Sequence, residues 1–255
     1  MRAFAASLLV AFFSTGAFAQ APAPAYTPEV GQEGKDVVWV PTPQALVDKM
    51  LDMAKVTAKD TVYDLGSGDG RTVITAAKRG ARAYGIEYNP DMVALSQRNA
   101  EKAGMSSRAT FTKADLFETD LSKATVITMF LLPDINLKLR PKILALKPGT
   151  RVVSNTFTMG EWEADQKETL DSDRGCSSSW CTALLWIVPA QVEGTHKLAQ
   201  GELTLKQEFQ KLSGTFNTGG KALPLSGRVR GNDVSFAAGG REYRGHVKGS
   251  TLELR

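Results

Sequence analysis

The segment Asp64-Leu65-Gly66-Ser67-Gly68-Asp69-Gly70-Arg71 sets three glycines two residues apart, at the end of an apolar run that begins at Thr61. In a turn between a strand and a helix, glycines lack the Cβ atoms that would hold a ligand away from the backbone. The spacing discriminates between ligands. A dinucleotide fingerprint, G-x-G-x-x-G, needs a glycine at position 71, where Arg71 stands, and no Gly-Lys-Ser or Gly-Lys-Thr follows to make a phosphate-binding loop. Neither NAD nor ATP is the expected ligand.

Two further acidic positions recur at predicted strand ends. Glu87, in Gly85-Ile86-Glu87-Tyr88-Asn89, stands 23 positions after Asp64, and such a carboxylate can accept both ribose hydroxyls of a nucleoside. Asp115, in Lys113-Ala114-Asp115-Leu116-Phe117, can accept from an exocyclic adenine amine while its apolar neighbours cover the ring. Taken singly, Asp64 could brace a turn, Glu87 could cap the helix beginning near Pro90, and Asp115 could sit in a surface loop. Together with the glycines they describe a nucleoside site at three successive strand ends.

The elements that position these residues are legible from periodicity. Leu46, Val47, Met50, Leu51 and Ala54 recur at helical spacing after Pro43. The buried strand 61–65 follows, and then helices near 70–79, 91–103 and 136–146 alternate with strands near 83–87, 109–114, 124–131, 150–156 and 181–188. That order predicts an α/β fold, an open and mostly parallel sheet with helices on both faces. From Val192 onward no helical period persists. Leu203, Leu205, Val229, Val234, Phe236 and Tyr243 fall in short alternating runs, with Gly231, Gly240 and Gly249 spaced nine apart, so 192–255 is expected to be a small antiparallel β module.

The ends of the chain carry other signals. Arg2, the apolar stretch Phe4 to Phe13 and Ala17-Phe18-Ala19 read as a secretory signal peptide over 1–19. Residues 20–36, with Pro22, Pro24, Pro28, Gly31 and Gly34, read as a flexible lead-in, leaving an α/β domain over 37–191. An exported chain meets an oxidising compartment, so Cys176 and Cys181 are expected to form a local disulfide; the alternative is two buried thiols. Two cysteines five apart lack the second ligand pair of a zinc site, and Asp134 with Asn136 offers too few oxygens for a hard cation. No metal is expected.

Composition removes other classes. Apolar residues make up 42% and charged residues 23% of 255, which excludes collagen-like, low-complexity and polytopic membrane chains. The net charge of +4 does not by itself imply nucleic acid. Residues 192–255 hold ten Lys or Arg against six Asp or Glu, so the excess positive charge lies in the β module. Its basic surface suits a membrane or envelope partner, or simply a solvated face.

The residues from about Val37 to Val188 resemble the class I S-adenosylmethionine-dependent methyltransferases. Val62-Tyr63-Asp64-Leu65-Gly66-Ser67-Gly68-Asp69-Gly70 carries the likeness most specifically. Within that superfamily the chain is most similar to protein-lysine methyltransferases of archaea and mitochondria, which modify membrane-embedded carriers and the membrane-ring protein of the ATP synthase. The matching stretches are Trp39-Val40-Pro41-Thr42-Pro43, Phe130-Leu131-Leu132-Pro133 and Leu146-Lys147-Pro148-Gly149-Thr150-Arg151-Val152-Val153-Ser154. The resemblance implies a Rossmann-like seven-stranded sheet and S-adenosyl-L-methionine as cofactor, bound by Asp64, Gly66, Ser67, Gly68, Gly70, Glu87, Tyr88, Asp115 and Leu116, with Trp39 to Thr42 covering the methyl donor. It implies a protein substrate methylated on lysine. The β module and the signal peptide have no counterpart in those relatives, so an exported, non-catalytic binding protein of the same fold, or a small-molecule N- or O-methyltransferase, remains the alternative.

Methyl transfer from a sulfonium requires positioning and desolvation rather than a catalytic triad. The sequence suits this, because His196 and His246 both lie in the β module and leave the α/β domain without a histidine base. No catalytic residue is assigned. A target lysine must be neutral to attack, and an apolar pocket disfavours its ammonium form; Phe130, Leu131, Leu132, Phe157, Met159 and Trp162 are candidates to line it. The fourth-strand motif Phe130-Leu131-Leu132-Pro133-Asp134 lacks the Asp or Asn before Pro-Pro found in methyltransferases of adenine amines, and no basic groove interleaved with aromatics is apparent. Nucleic acid is not the expected substrate.

Overall fold

Pro43 stands immediately before α1 (Gln44–Met53), whose Leu46, Val47, Met50 and Leu51 turn inward. The computed structural model describes residues 26–255, so the signal peptide expected over 1–19 lies outside the described residues. After α1 the chain runs through β1 (Thr61–Leu65), α2 (Arg71–Lys78), β2 (Arg82–Glu87), α3 (Pro90–Lys102), β3 (Ala109–Lys113), β4 (Val126–Met129), α4 (Pro133–Leu144), β5 (Arg151–Asn155), β6 (Gln166–Thr169) and β7 (Thr182–Ile187). Sequence determines several of these boundaries. α3 and α4 both open on a proline whose missing N–H is no loss at that position, and the Asn89 side chain accepts from Asp91 N at 2.9 Å to cap α3.

The seven strands form one sheet in the order β3-β2-β1-β4-β5-β7-β6. Strands β1 to β5 pair in parallel, while β7 runs antiparallel to β5 on one side and β6 on the other. The mostly parallel sheet expected from the sequence is therefore present, with one reversed strand near its edge. Helices cover both faces, as central parallel strands require, but unequally. α1, α2 and α3 pack on the face of Val62, Ala83, Val126 and Val153, and α4 packs on the face of Ile127, Met129 and Val152. The chain order reverses at β1, so a crevice opens at the carboxyl ends of β1 and β4. Register aligns Leu65 with Ile86 and with Met129, and Glu87 with Lys113. The three acidic strand ends are thereby set side by side.

The second sheet is a meander of β8 (Gly194–Leu198), β9 (Gly201–Glu208), β10 (Lys211–Thr218), β11 (Lys221–Arg230), β12 (Asp233–Ala238), β13 (Arg241–Lys248) and β14 (Thr251–Leu254), each strand antiparallel to the next. Its first and last strands come together, so the sheet curls around Leu203, Leu205, Phe216, Val229 and Phe236. Ala190 and Val192 already belong to that core. Gly231, Gly240 and Gly249 all have positive φ, which explains their regular recurrence at hairpin turns.

The module is fastened to the α/β domain by the β9–β10 hairpin tip. Phe209 there has φ +52°, a conformation that strains a non-glycine residue. Its ring stacks on Trp162 at 6.3 Å between centroids and lies beneath the Arg140 guanidinium. Buried Gln210 donates from Nε2 to Glu163 O at 2.7 Å, and Lys211 and Arg228 pair with Glu163 and Asp165. This packing and these bonds hold the strained turn in place.

Candidate functional site

The two aspartates of the first strand region fare differently, and the contrast locates the site. Asp60, just before β1, is buried but accepts from Thr57 N, Thr125 Oγ1 and the Arg151 guanidinium. Burial works against its ionisation, yet these bonds outweigh it and hold the carboxyl below the ordinary carboxylate range. Asp64, near the other end of β1, is equally buried and accepts from Thr128 Oγ1 at 2.6 Å. Burial, reinforced by the charges of Asp69 and Glu87, pushes its carboxyl up to about 7. A carboxylate lining a cavity beside two like charges, with no cation of the protein paired to it among the described ion pairs, is arranged to receive a cationic ligand.

That cavity is about 410 Å³, within the range of small-molecule sites. Asp64, Gly66, Glu87, Tyr88, Asp115 and Leu116 line it. Glu87 Oε2 accepts Gly68 N and Oε1 accepts Asn89 N, both at 2.9 Å, which fixes the carboxylate and leaves lone pairs for two hydroxyls. Asp115 accepts Phe117 N at 2.8 Å and pairs with Lys35; the Lys35 ammonium beside it holds its carboxyl below the usual range. The remaining three predicted residues shape the turn rather than line the cavity. Ser67 directs Oγ toward Gly85, and that hydroxyl has no hydrogen-bond partner among the described residues. Gly70 opens α2 at φ +82°, where a Cβ would meet Phe111 and Ser96 within 2.8 Å.

Gly68 is overlain by the indole of Trp39. Residues 31–42 fold over the crevice, with Gly31 N donating to Trp39 O and Trp39 N to Gln32 O, and Gln32 through Thr42 contribute to the cavity wall. The cover expected from Trp39 to Thr42 is thus present and longer than expected. Of the lead-in expected over 20–36, residues 20–25 lie outside the described residues; in its last part Lys35 ties the segment to Asp115 and packs over the Tyr88 ring. A Cβ on Gly68 would approach Trp39 Nε1 to 2.6 Å, at φ +52°. Gly68→Ala is therefore expected to lift the cover and weaken ligand binding about tenfold through strain of order 1–3 kcal/mol, measured by calorimetric titration, with little change in far-ultraviolet circular dichroism.

Sequence reasoning missed Asp69 and Arg71 as site residues. Arg71 forms a forked pair with Asp69 and donates to Thr42 O at 3.0 Å, joining the glycine turn to the cover. Its neighbourhood in the motif was the available signal. Two of the candidate acceptor-pocket residues are corrected: Met159 and Trp162 are fully buried in the core, because α4 and the Phe209 hairpin tip enclose them. Phe130, Leu131, Leu132 and Phe157 do line the cavity, and Trp180, not anticipated, joins them.

These residues fit S-adenosylmethionine. Asp64 would take its cationic end, Glu87 its ribose hydroxyls and Asp115 its adenine amine, with Gly66 allowing close approach. Comparisons with known proteins agree. A family model described as the ANTKMT methyltransferase domain matches residues 64–166. The protein-lysine N-methyltransferase of Saccharolobus islandicus is 44% identical over 164 residues, 63% of this chain and 96% of that protein. The adenine nucleotide translocase lysine N-methyltransferase of Mus musculus is 39% identical over 104 residues, 40% of this chain and 45% of its own length. Among solved structures, an RNA methyltransferase from Salinibacter ruber in complex with S-adenosyl-L-homocysteine is 46% identical, with TM-score 0.55, over 60% of this chain and 96% of that one. Both the glycine turn with its strand-end carboxylates and these likenesses lead to one assignment: the chain belongs to the S-adenosylmethionine-dependent protein-lysine methyltransferases, of class I fold.

Proposed function

We propose that this methyltransferase transfers the methyl group to a lysine Nζ of a protein substrate. The observation that carries the reading is the apolar part of the cavity lining, where Leu132 stands with Phe130, Phe157 and Trp180 and the Phe130 ring packs with both of the other rings. When bound, S-adenosylmethionine supplies an electrophilic methyl group on a sulfonium. The protein's own part is positioning and water exclusion. An apolar lining favours the neutral amine over the ammonium and so delivers the nucleophilic form. Neither histidine serves as a base there: among the described residues, His196 bonds Val192 O and His246 bonds Asp233, both in the β module. The lysine methyltransferases of Saccharolobus islandicus and Mus musculus support the same acceptor.

Two further parts of the proposal concern place and partner. The amino-terminal signal directs the protein out of the cytosol, a reading supported by the Cys176–Cys181 disulfide, since such bonds persist in oxidising compartments. The β module orients the substrate through its exposed Lys197, Lys206, Arg230, Arg241 and Arg244, a surface suited to an acidic membrane or envelope partner. The test is transfer of label from methyl-labelled S-adenosylmethionine to poly-L-lysine and, separately, to an RNA oligonucleotide, followed by hydrolysis. Labelled methyl-lysine is expected; label in a nucleotide with none in lysine would overturn the assignment.

A further inference from the structure

The Cys176–Cys181 loop lies outside the cofactor-binding elements, yet it delivers one residue to the cavity. Both cysteines are buried and bonded to each other, Cys176 N donates to Asp171 O and Cys181 O accepts from Leu170 N, so both ends of the loop are tied to the Leu170–Asp171 segment that follows β6. Within it, Trp180 N donates to Ser178 Oγ at 3.2 Å, and the indole stands partly exposed at the cavity wall. Its ring centroid lies 6.1 Å from that of Phe130, tilted by 59°, while Phe130 stacks on Phe157 at 5.9 Å. The segment carrying Phe157 is also built under constraint. Thr156 takes φ +60° and donates its N–H to Thr182 O at 2.7 Å, turning Phe157 toward Phe130. Backbone strain of this kind collects where a side chain must be aimed.

We infer that Trp180, held by the disulfide, is a positioning residue that forms the third aromatic wall of a channel for the acceptor lysine stem. The inference rests on the lysine reading proposed for this site. A lysine side chain carries four methylenes that gain from apolar walls while its nitrogen reaches the reacting end, and the tilted Trp180 ring beside the stacked Phe130–Phe157 pair offers such a stem apolar surface in two orientations. The enzyme would then engage its acceptor fully only with the two cysteines oxidised. Because the chain holds two cysteines, a reductant has this one bond to act on.

The experiment measures methyl-lysine formation on poly-L-lysine by the full mature chain, with S-adenosylmethionine titrated separately into each form. Trp180→Ala is expected to raise KM for poly-L-lysine about fivefold, the scale of one lost aromatic contact, with kcat and cofactor affinity within about twofold; Trp180→Phe should restore most of the loss. Reduction with a phosphine should raise KM of the wild-type protein and leave that of Trp180→Ala unchanged, since the bond acts through the indole. Unchanged KM in both the variant and the reduced enzyme would overturn the inference, as would reduction raising KM equally in Trp180→Ala. A wild-type enzyme that binds S-adenosylmethionine but forms no methyl-lysine would instead overturn the lysine reading, and the channel with it.

Discussion

Asp64→Asn is expected to lower affinity for S-adenosylmethionine by about 100-fold or more while raising the thermal midpoint of the free protein. The two effects share one cause. The Asp64 carboxyl is buried, faces Asp69 and Glu87, and is pushed up to about 7, so the folded state holds its proton more tightly than the unfolded chain does. A group of this kind contributes stability that is present below the unfolded value near 3.8 and is lost as pH rises through about 7. An amide cannot ionise and still accepts the Thr128 hydroxyl. At pH 8 the variant should therefore be more stable by on the order of 2–4 kcal/mol, and the gain should vanish near pH 4. Loss of a buried charge partner costs about 2–5 kcal/mol of binding, which is the origin of the affinity loss. Thermal unfolding across pH, beside ligand titration, checks both halves. A less stable apo variant at pH 8 would show that the carboxylate is structural.

The second large effect belongs to the junction between the sheets. Trp162 is fully buried between Trp186 at 6.2 Å and Phe209 at 6.3 Å, and its main-chain oxygen accepts from Trp186 Nε1 at 2.7 Å. Trp162→Ala should cost about 3–5 kcal/mol by leaving a cavity the size of an indole. Trp162→Phe should cost far less, because the Trp162 Nε1 donor has no partner among the described residues and its removal relieves an unpaired buried group. Denaturant unfolding followed by circular dichroism and tryptophan fluorescence checks the pair. If Trp162→Phe were as damaging as Trp162→Ala, the stacking account of this junction would fail.

How far the sequence reaches can be judged from particular elements. The strand 61–65 and the helices near 70–79 and 91–103 were legible because apolar period, glycine and proline agreed there, and each appears within a residue or two. The carboxy-terminal meander was legible as alternation and glycine spacing, but its count of seven strands was not. β6 was not, since all four of its residues, Gln166 to Thr169, are polar and exposed or partly exposed on the sheet edge, leaving no hydrophobic pattern to find. The burial of Met159 and Trp162 depends on Phe209, some fifty positions away in sequence, which local pattern does not encode. Among site residues, Asp64, Glu87 and Asp115 were visible as a chemical constellation. Lys35 and Trp180 were not, because each reaches the cavity from an irregular segment whose course is set by tertiary pairing, with Asp115 in one case and through the Cys176–Cys181 bond in the other.

The central claim, that the covered crevice at Asp64, Glu87 and Asp115 holds S-adenosylmethionine, is tested most directly by calorimetric titration of that compound into the protein at pH 6 and pH 8, in buffers of differing ionisation enthalpy. The account predicts saturable one-site binding in which most of a proton is released per ligand at pH 6 and little at pH 8, because a cation binding at Asp64 drives off the proton its raised pKa retains. Saturation should be lost in folded Asp64→Asn and Glu87→Ala. Undiminished binding in both variants, or release of equal numbers of protons at the two pH values, would contradict it.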